Sequence, residues 1–238
     1  MIDYFAGRIA ERYDERTSRL PVEPIVDVLV ALAGEGPVLE LGIGTGRIAL
    51  PLAARGVRVS GIDLSTDMVA QLRRKPGADR IDVAIGDFAT TRVEGTFSLA
   101  YVVFNTIMNL TSQDVQVACF QNVADHLEPG GRFVVEVATP GLHGFPRGET
   151  FQVFDVSPTH IGLDEIDVAD QTLVSHHYWF DGDQVERSSP PFRYVWPSEL
   201  DLMARLAGMR LRERWGGWNR EPFTSDSSKH VSVWDKPL

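Results

Sequence analysis

The chain has 238 residues, 43% of them hydrophobic, and a single cysteine, so it can bury a full core as one domain and cannot form an intrachain disulfide. Its formal net charge of -10, from 23 basic against 33 acidic residues, repels phosphate backbones and argues against nucleic acid as a partner. No apolar run approaches a membrane span and the first residues lack the apolar core of a signal peptide, so a reducing cytoplasm without a membrane partner is the expected setting.

Residues 3 to 16 carry Phe5, Ile9 and Tyr13 at helical spacing, and residues 22 to 33 carry Ile25, Val26, Leu29 and Leu32 in the same way, which predicts two helices before the first strand. Residues 37 to 46, Pro-Val-Leu-Glu-Leu-Gly-Ile-Gly-Thr-Gly, read as a buried strand running into a glycine-rich turn at the mouth of a helix. There Gly42, Gly44 and Gly46 let the backbone turn tightly and approach a ligand. Dinucleotide sites favour G-x-G-x-x-G, whereas this spacing is G-x-G-x-G, and Glu40 just before it would meet an ammonium better than a phosphate. A helix over 47 to 55 tolerates Pro51 in its first turns. The next strand, 56 to 63, ends in Asp63, where Rossmann-type sheets hydrogen-bond ribose hydroxyls.

Ser65 and Asp67 are N-cap candidates for a helix holding Met68, Val69 and Leu72, which Pro76-Gly77 ends. Its last turn carries Arg73-Arg-Lys75 as dipole complementation on a solvated face. A third strand over 81 to 85 precedes Asp87-Phe88, and a fourth over 97 to 104 ends in Asn105-Thr-Ile-Met-Asn109. A helix over 112 to 127 contains Cys119; Pro129-Gly130-Gly131 turns the chain into a fifth strand over 132 to 138. From 139 to about 194 the pattern changes to β-prone runs at 150 to 156, 170 to 180 and 185 to 194, an inserted antiparallel unit. Ser198 then caps a helix to Ala207, and 209 to 215 and 230 to 234 are the last two strands.

The glycine stretch, together with Asp63-Leu-Ser-Thr-Asp-Met68 and Gly86-Asp-Phe88, resembles the class I S-adenosylmethionine-dependent methyltransferases over roughly the first two thirds of the chain. His126-Leu-Glu-Pro-Gly-Gly-Arg-Phe and the terminal strand pair resemble them as well. The resemblance implies an α/β fold, a Rossmann-like doubly wound, seven-stranded, mostly parallel sheet of order 3-2-1-4-5-7-6, in one domain over 1 to 238 with the antiparallel insertion at 140 to 195. It implies S-adenosyl-L-methionine as cofactor, with Glu40, Gly42, Gly44 and Gly46 near its methionine end, Asp63 on the ribose diol, and Leu64 and Met68 alongside. Asp87 would accept from the adenine amine and Phe88 would cover the base; Phe104 and, from a Tyr-Asp pair in the opening helix, Tyr13 complete the set. The size, helical lead and insertion are similar to bacterial small-molecule methyltransferases, including amino-sugar N-methyltransferases. The expected acceptor is therefore an amine or hydroxyl of a small molecule, and the expected protein partner, in a homodimer, a second copy.

Methyl transfer from a sulfonium is an in-line displacement that needs alignment and exclusion of water more than covalent machinery. A general base is sought among histidines: His143, just past the fifth strand, and His176. Strand alternation sends His176, Tyr178 and Phe180 to one face and His177 and Trp179 to the other, so only one of the adjacent pair can face a pocket, and a metal pair is not expected. Asn105 and Asn109 are the expected substrate neighbours. Phe104-Asn-Thr-Ile stands where base-flipping adenine methyltransferases carry (Asp/Asn)-Pro-Pro-(Tyr/Phe), which disfavours that activity. Two other functions compete: an NAD-dependent oxidoreductase of the same fold, and a protein that binds S-adenosylmethionine without catalysis.

Overall fold

The structure is a computed structural model that describes residues 3–142 and 146–238. Two helices, α1 (Arg8–Thr17) and α2 (Glu23–Ala33), lead into alternating strands and helices: β1 (Val38–Leu41), α3 (Ala49–Ala54), β2 (Val59–Asp63), α4 (Thr66–Arg73), β3 (Asp82–Ile85), β4 (Phe97–Val102), α5 (Gln113–His126) and β5 (Leu127–Ala138). β6 (Phe151–Val156), β7 (His160–Asp167), β8 (Thr172–Asp181), β9 (Gln184–Ser188) and β10 (Pro191–Arg193) follow, then α6 (Pro197–Leu206), β11 (Arg210–Trp215) and β12 (Lys229–Asp235).

The main sheet runs β3-β2-β1-β4-β5-β12-β11. Counted within this sheet that is 3-2-1-4-5-7-6, as expected. β1 pairs in parallel with both β2 and β4, while β12 is antiparallel to β5 and β11 to β12. All four residues of β1 are buried, because α-helices cover both faces of a parallel sheet and leave no strand position in water. One core lies on each face; in one of them Phe120 meets Phe133 and Trp234 edge-on at 5.0 and 5.5 Å, contacts worth about 0.5–1.5 kcal/mol each beyond their buried area.

Caps act where their residues sit: Ser65 Oγ accepts from the Met68 N–H and Ser112 Oγ from the Val115 N–H. Asp67 instead accepts from the Gly7 N–H at 2.7 Å, tying α4 to the chain entering α1. Asp14 joins Thr45 Oγ1 at 2.6 Å and pairs with Lys75. The opening helix is thereby pinned over the glycine turn.

The second sheet is antiparallel, β10-β8-β7-β6, with β9 also on β8. Its inner strand β7 was not expected from the sequence. Gly162, Asp164 and Glu165 break the apolar alternation there, yet β6 and β8 flank the strand on both edges. The expected run over 185 to 194 is two strands, divided where Pro190 removes a ladder donor. α6 starts at Pro197, with Trp196 and not Ser198 at the N-cap, since proline at the first helical position has its φ already set. Residues 129 to 131 form an irregularity inside β5, where the register with β4 shifts between Phe97 and Leu99.

Candidate functional site

A cleft opens at the carboxyl ends of β1, β2 and β4, where the strand order reverses, the place in an open α/β sheet that loops leave uncovered. The turn after β1 forms its floor. Gly42 has φ 71°, and a Cβ there would stand 2.5 Å from Thr106 Cγ2, so only glycine keeps the backbone open to a ligand. Glu40 is 4% exposed and its Oε2 has no hydrogen-bond partner. Burial drives its carboxyl up to about 8, against the neighbouring Tyr101 hydroxyl and Arg47 guanidinium, which favour the anion. Arg47 Nη1 is likewise buried without a partner, and the guanidinium lies 4.6 Å over the Phe104 ring. An orphaned acid and an orphaned guanidinium in one cleft suit the ammonium and carboxylate of an amino-acid terminus.

Asp63 joins β2 to the turn. Its Oδ2 accepts from the Gly44 N–H at 2.6 Å and its Oδ1 from the Ser65 N–H at 2.8 Å. Each oxygen keeps a further lone-pair direction for a ligand hydroxyl. Burial raises this carboxyl above its ordinary range and the backbone donors oppose the shift. Leu64, Met68, Asp87 and Phe88 line the same cleft, and Asp87 Oδ1 accepts from the Ala89 N–H at 2.8 Å. Tyr13 reaches in from α1, its hydroxyl pKa raised by burial. Gly46 does not line the cleft. A Cβ there would meet Leu72 Cδ1 at 2.3 Å, so this glycine serves the packing of α4 against the turn.

At the end of β4 the chain takes the left-handed conformation twice, at Phe104 (φ 63°) and Asn105 (φ 62°). Neighbouring strands clamp the pair. The Phe104 N–H donates to Glu136 Oε2 at 3.0 Å, the Ala138 N–H to Asn105 Oδ1 at 2.7 Å, and Lys229 Nζ balances Glu136 at 2.9 Å. Consecutive left-handed non-glycine residues cost about 1–2 kcal/mol each, and here they stand the Phe104 ring beside the cleft.

A second cavity, of about 470 Å³, lies between this edge and one face of the antiparallel sheet. Phe5, Tyr13, Phe104, Thr106 and Asn109 border both spaces. Asn105 lines only the second, and Asn109 Nδ2 donates to the Thr106 carbonyl at 3.1 Å. From β7 and β8 the cavity receives Asp164, Ser175 and His177. His176 is on the far face of β8, bonded to Ser189 Oγ at 3.0 Å and Glu165 Oε2 at 3.3 Å, which corrects the expectation that it serves the pocket. Alternation fixes the pair's divergence, but the packing of the insertion decides which face turns inward. His143 lies outside the described residues. Arg47, Glu136, Asp164, Ser175 and His177 are additions to the sequence-derived set. Of these, Arg47 carries a sequence signal, a cation at the mouth of an otherwise apolar helix, and His177 a second, since strand alternation lets either it or His176 face a pocket.

Among the described residues no three His, Cys, Asp or Glu side chains group to hold a metal ion, and no helix is long and apolar enough to cross a membrane. A family model described as a methyltransferase domain matches residues 38–131. The CcbJ methyltransferase of Streptomyces caelestis is 35% identical, with 100% of both chains covered and a TM-score of 0.89. The cypemycin N-terminal methyltransferase of a Streptomyces species is 26% identical over 206 residues, 84% of this chain and 82% of that one. An S-adenosylmethionine-dependent methyltransferase of Clostridium acetobutylicum shares the fold at 14% identity, with a TM-score of 0.79 over 97% of this chain and 98% of that one. With the glycine turn, the reversed strand order and the paired cavities in place, this chain belongs to the class I S-adenosylmethionine-dependent methyltransferases.

Proposed function

We propose that this methyltransferase acts on an amine or hydroxyl of a small molecule seated in the second cavity. The observation that carries the reading is the wall that the two spaces share, Phe5, Tyr13, Phe104, Thr106 and Asn109, because in-line transfer needs donor and acceptor on either side of one opening. When bound, S-adenosylmethionine supplies a methyl group made electrophilic by the sulfonium. In this reading Glu40 and Arg47 take its ammonium and carboxylate, Asp63 accepts from the ribose hydroxyls, and Asp87 and Phe88 hold the adenine. Tyr13 and Phe104 exclude water from the opening.

The antiparallel insertion over 140 to 195 acts as the substrate side of a single domain. Its cavity of about 470 Å³ falls in the range of small-molecule sites, and the net charge of -10 disfavours nucleic acid. The single buried Cys119 fits a reducing cytoplasm. Similarity to the cypemycin N-terminal methyltransferase favours one second reading, a peptide N-terminus as the amine. Labelled S-adenosylmethionine incubated with the enzyme and a cell extract, followed by ultrafiltration, separates these readings. Label in a non-peptide compound of the low-mass filtrate, resolved by chromatography from S-adenosylmethionine itself, is the expected result; label in a peptide favours the second reading, and label confined to protein or RNA would refute the small-molecule acceptor.

A further inference from the structure

The polar end of the second cavity is built from paired positions on neighbouring strands, Asp164 on β7 and Ser175 on β8, which are cross-strand partners that both face inward. Asp164 Oδ1 is buried with no hydrogen-bond partner. Ser175 Oγ lies 3.2 Å from His177 Nε2, His177 Nδ1 lies 3.0 Å from His160 Nε2, and His160 Nδ1 lies 2.6 Å from Asp155 Oδ2. The two imidazoles lie within 22° of coplanar with centroids 5.2 Å apart, and the Trp179 ring, nearly parallel to both, lies beside them at 5.3 and 5.1 Å. This packing holds the rings in the plane that the chain of bonds needs.

The chain has a direction. Asp155, whose side chain is 45% exposed, accepts and cannot donate while ionised. A neutral His160 ring then donates from Nδ1 and offers Nε2 as an acceptor, so a neutral His177 donates from Nδ1 and offers Nε2 in turn. Ser175 has one proton, and it goes to His177. Towards the cavity the serine then shows only lone pairs, beside a carboxylate that also only accepts. Burial pushes His177 down to about 4, helped by the neighbouring His160, Arg16 and His176, so its ring is neutral at physiological pH. Burial raises the Asp164 carboxyl above its ordinary range, its Oδ1 has no hydrogen-bond partner, and a cation arriving there would favour the anion.

We propose that the second cavity selects an acceptor molecule bearing a protonated amine, which Asp164 and Ser175 bind as paired hydrogen-bond acceptors, with Asp155, His160 and His177 as positioning residues that fix the polarity. A hydroxyl has one proton and would satisfy one of the two acceptors. An ammonium has two or three and supplies the charge that the buried carboxylate lacks. The proposal rests on the small-molecule reading above and narrows it.

The test uses matched probes that differ only in this group, 2-phenylethylamine against 2-phenylethanol and cyclohexylmethylamine against cyclohexylmethanol. Binding is measured by calorimetry to the full chain saturated with S-adenosylhomocysteine, at a pH of about 8 where free imidazoles are neutral. The amines should bind at least about tenfold more tightly than the alcohols, the equivalent of one charged hydrogen bond. Asp164→Asn should abolish that preference while leaving S-adenosylhomocysteine affinity unchanged, and Ser175→Ala should reduce it. Asp155→Ala, at the surface, should weaken it about threefold, and ¹⁵N NMR of the rings should show His177 protonated at Nδ1 in the wild type and a tautomer mixture in the variant. Equal binding of amine and alcohol, a preference that survives Asp164→Asn, or a wild-type His177 protonated at Nε2 would overturn the inference and leave the small-molecule reading standing. If no probe of either kind binds up to its solubility, both fall together.

Discussion

Glu40 gives the most direct handle on the proposed cofactor cleft, because burial pushes the unliganded carboxyl up to about 8 while an incoming ammonium would need the anion. At pH 7 such a group is about 0.9 protonated, so binding should expel close to one proton; at pH 9 the figure falls to about 0.1. The cost of removing that proton weakens binding at pH 7 by about tenfold relative to a site already ionised. Calorimetry of S-adenosylhomocysteine binding in buffers of different ionisation enthalpy counts the protons. The ligand's own amine can also exchange a proton on binding, so the wild-type count is read against Glu40→Gln, which keeps the shape of the side chain and cannot ionise. The same shift sets the stability of the unliganded protein. A raised carboxyl favours folding below its unfolded value of 4.5 and loses that contribution as pH rises to about 8. Equal proton release from wild type and Glu40→Gln at pH 7 would refute the placement of the ammonium at Glu40.

Gly46→Ala would place a Cβ 2.3 Å from Leu72 Cδ1 at a φ of 77°, so chemical denaturation should show a loss of about 1–3 kcal/mol, while the folded fraction keeps wild-type cofactor affinity; weakened affinity at unchanged stability would return this glycine to the cleft. His230 is buried with Nδ1 on Ser232 Oγ at 2.8 Å, and burial with the nearby Arg214 pushes it down to about 4, against Asp201. A depressed histidine favours folding above its unfolded value of 6.5 and loses that contribution as pH falls towards 4, here up to about 3 kcal/mol. Urea midpoints at several pH values should therefore fall more steeply for wild type than for His230→Gln across that window, and parallel slopes would contradict it.

What the sequence made legible was local in origin. The β1 turn could be read because strand, glycines and helix start are contiguous, and Asp63 because its place at a strand end follows from periodicity alone. The seven-strand order came with the family resemblance. Residues that act through tertiary contact were hidden. Gly46 looks like its two companions until Leu72 is packed against it. Glu136 reads as an ordinary strand residue and becomes a clamp only when β4 lies alongside. β7 escaped because Asp164 and Glu165 interrupt its apolar pattern, and the interruption has a physical cause, since Asp164 faces a cavity and not a core.

Phe104 joins a left-handed turn to the proposed opening between the cavities, and two substitutions at that one position separate the two roles. An extended residue would carry its ring onward along β4; the left-handed turn, at φ 63°, sets the ring between the two cavities, 4.6 Å under Arg47. Phe104→Ala and Phe104→Gly remove the same ring, so the stability difference between them leaves out the lost contacts and reads the backbone. In an ordinary extended or helical position glycine is about 0.5–1 kcal/mol worse than alanine, but an alanine held left-handed keeps a Cβ clash worth about 1–2 kcal/mol that glycine sheds. The glycine variant should therefore be the more stable of the two, by about 1 kcal/mol in urea unfolding, and both should lose most methyl transfer because water enters where the ring stood. An alanine variant at least as stable as the glycine variant would mean that the turn holds no strain. The clamp from Glu136 and Ala138 would then follow the backbone rather than force it.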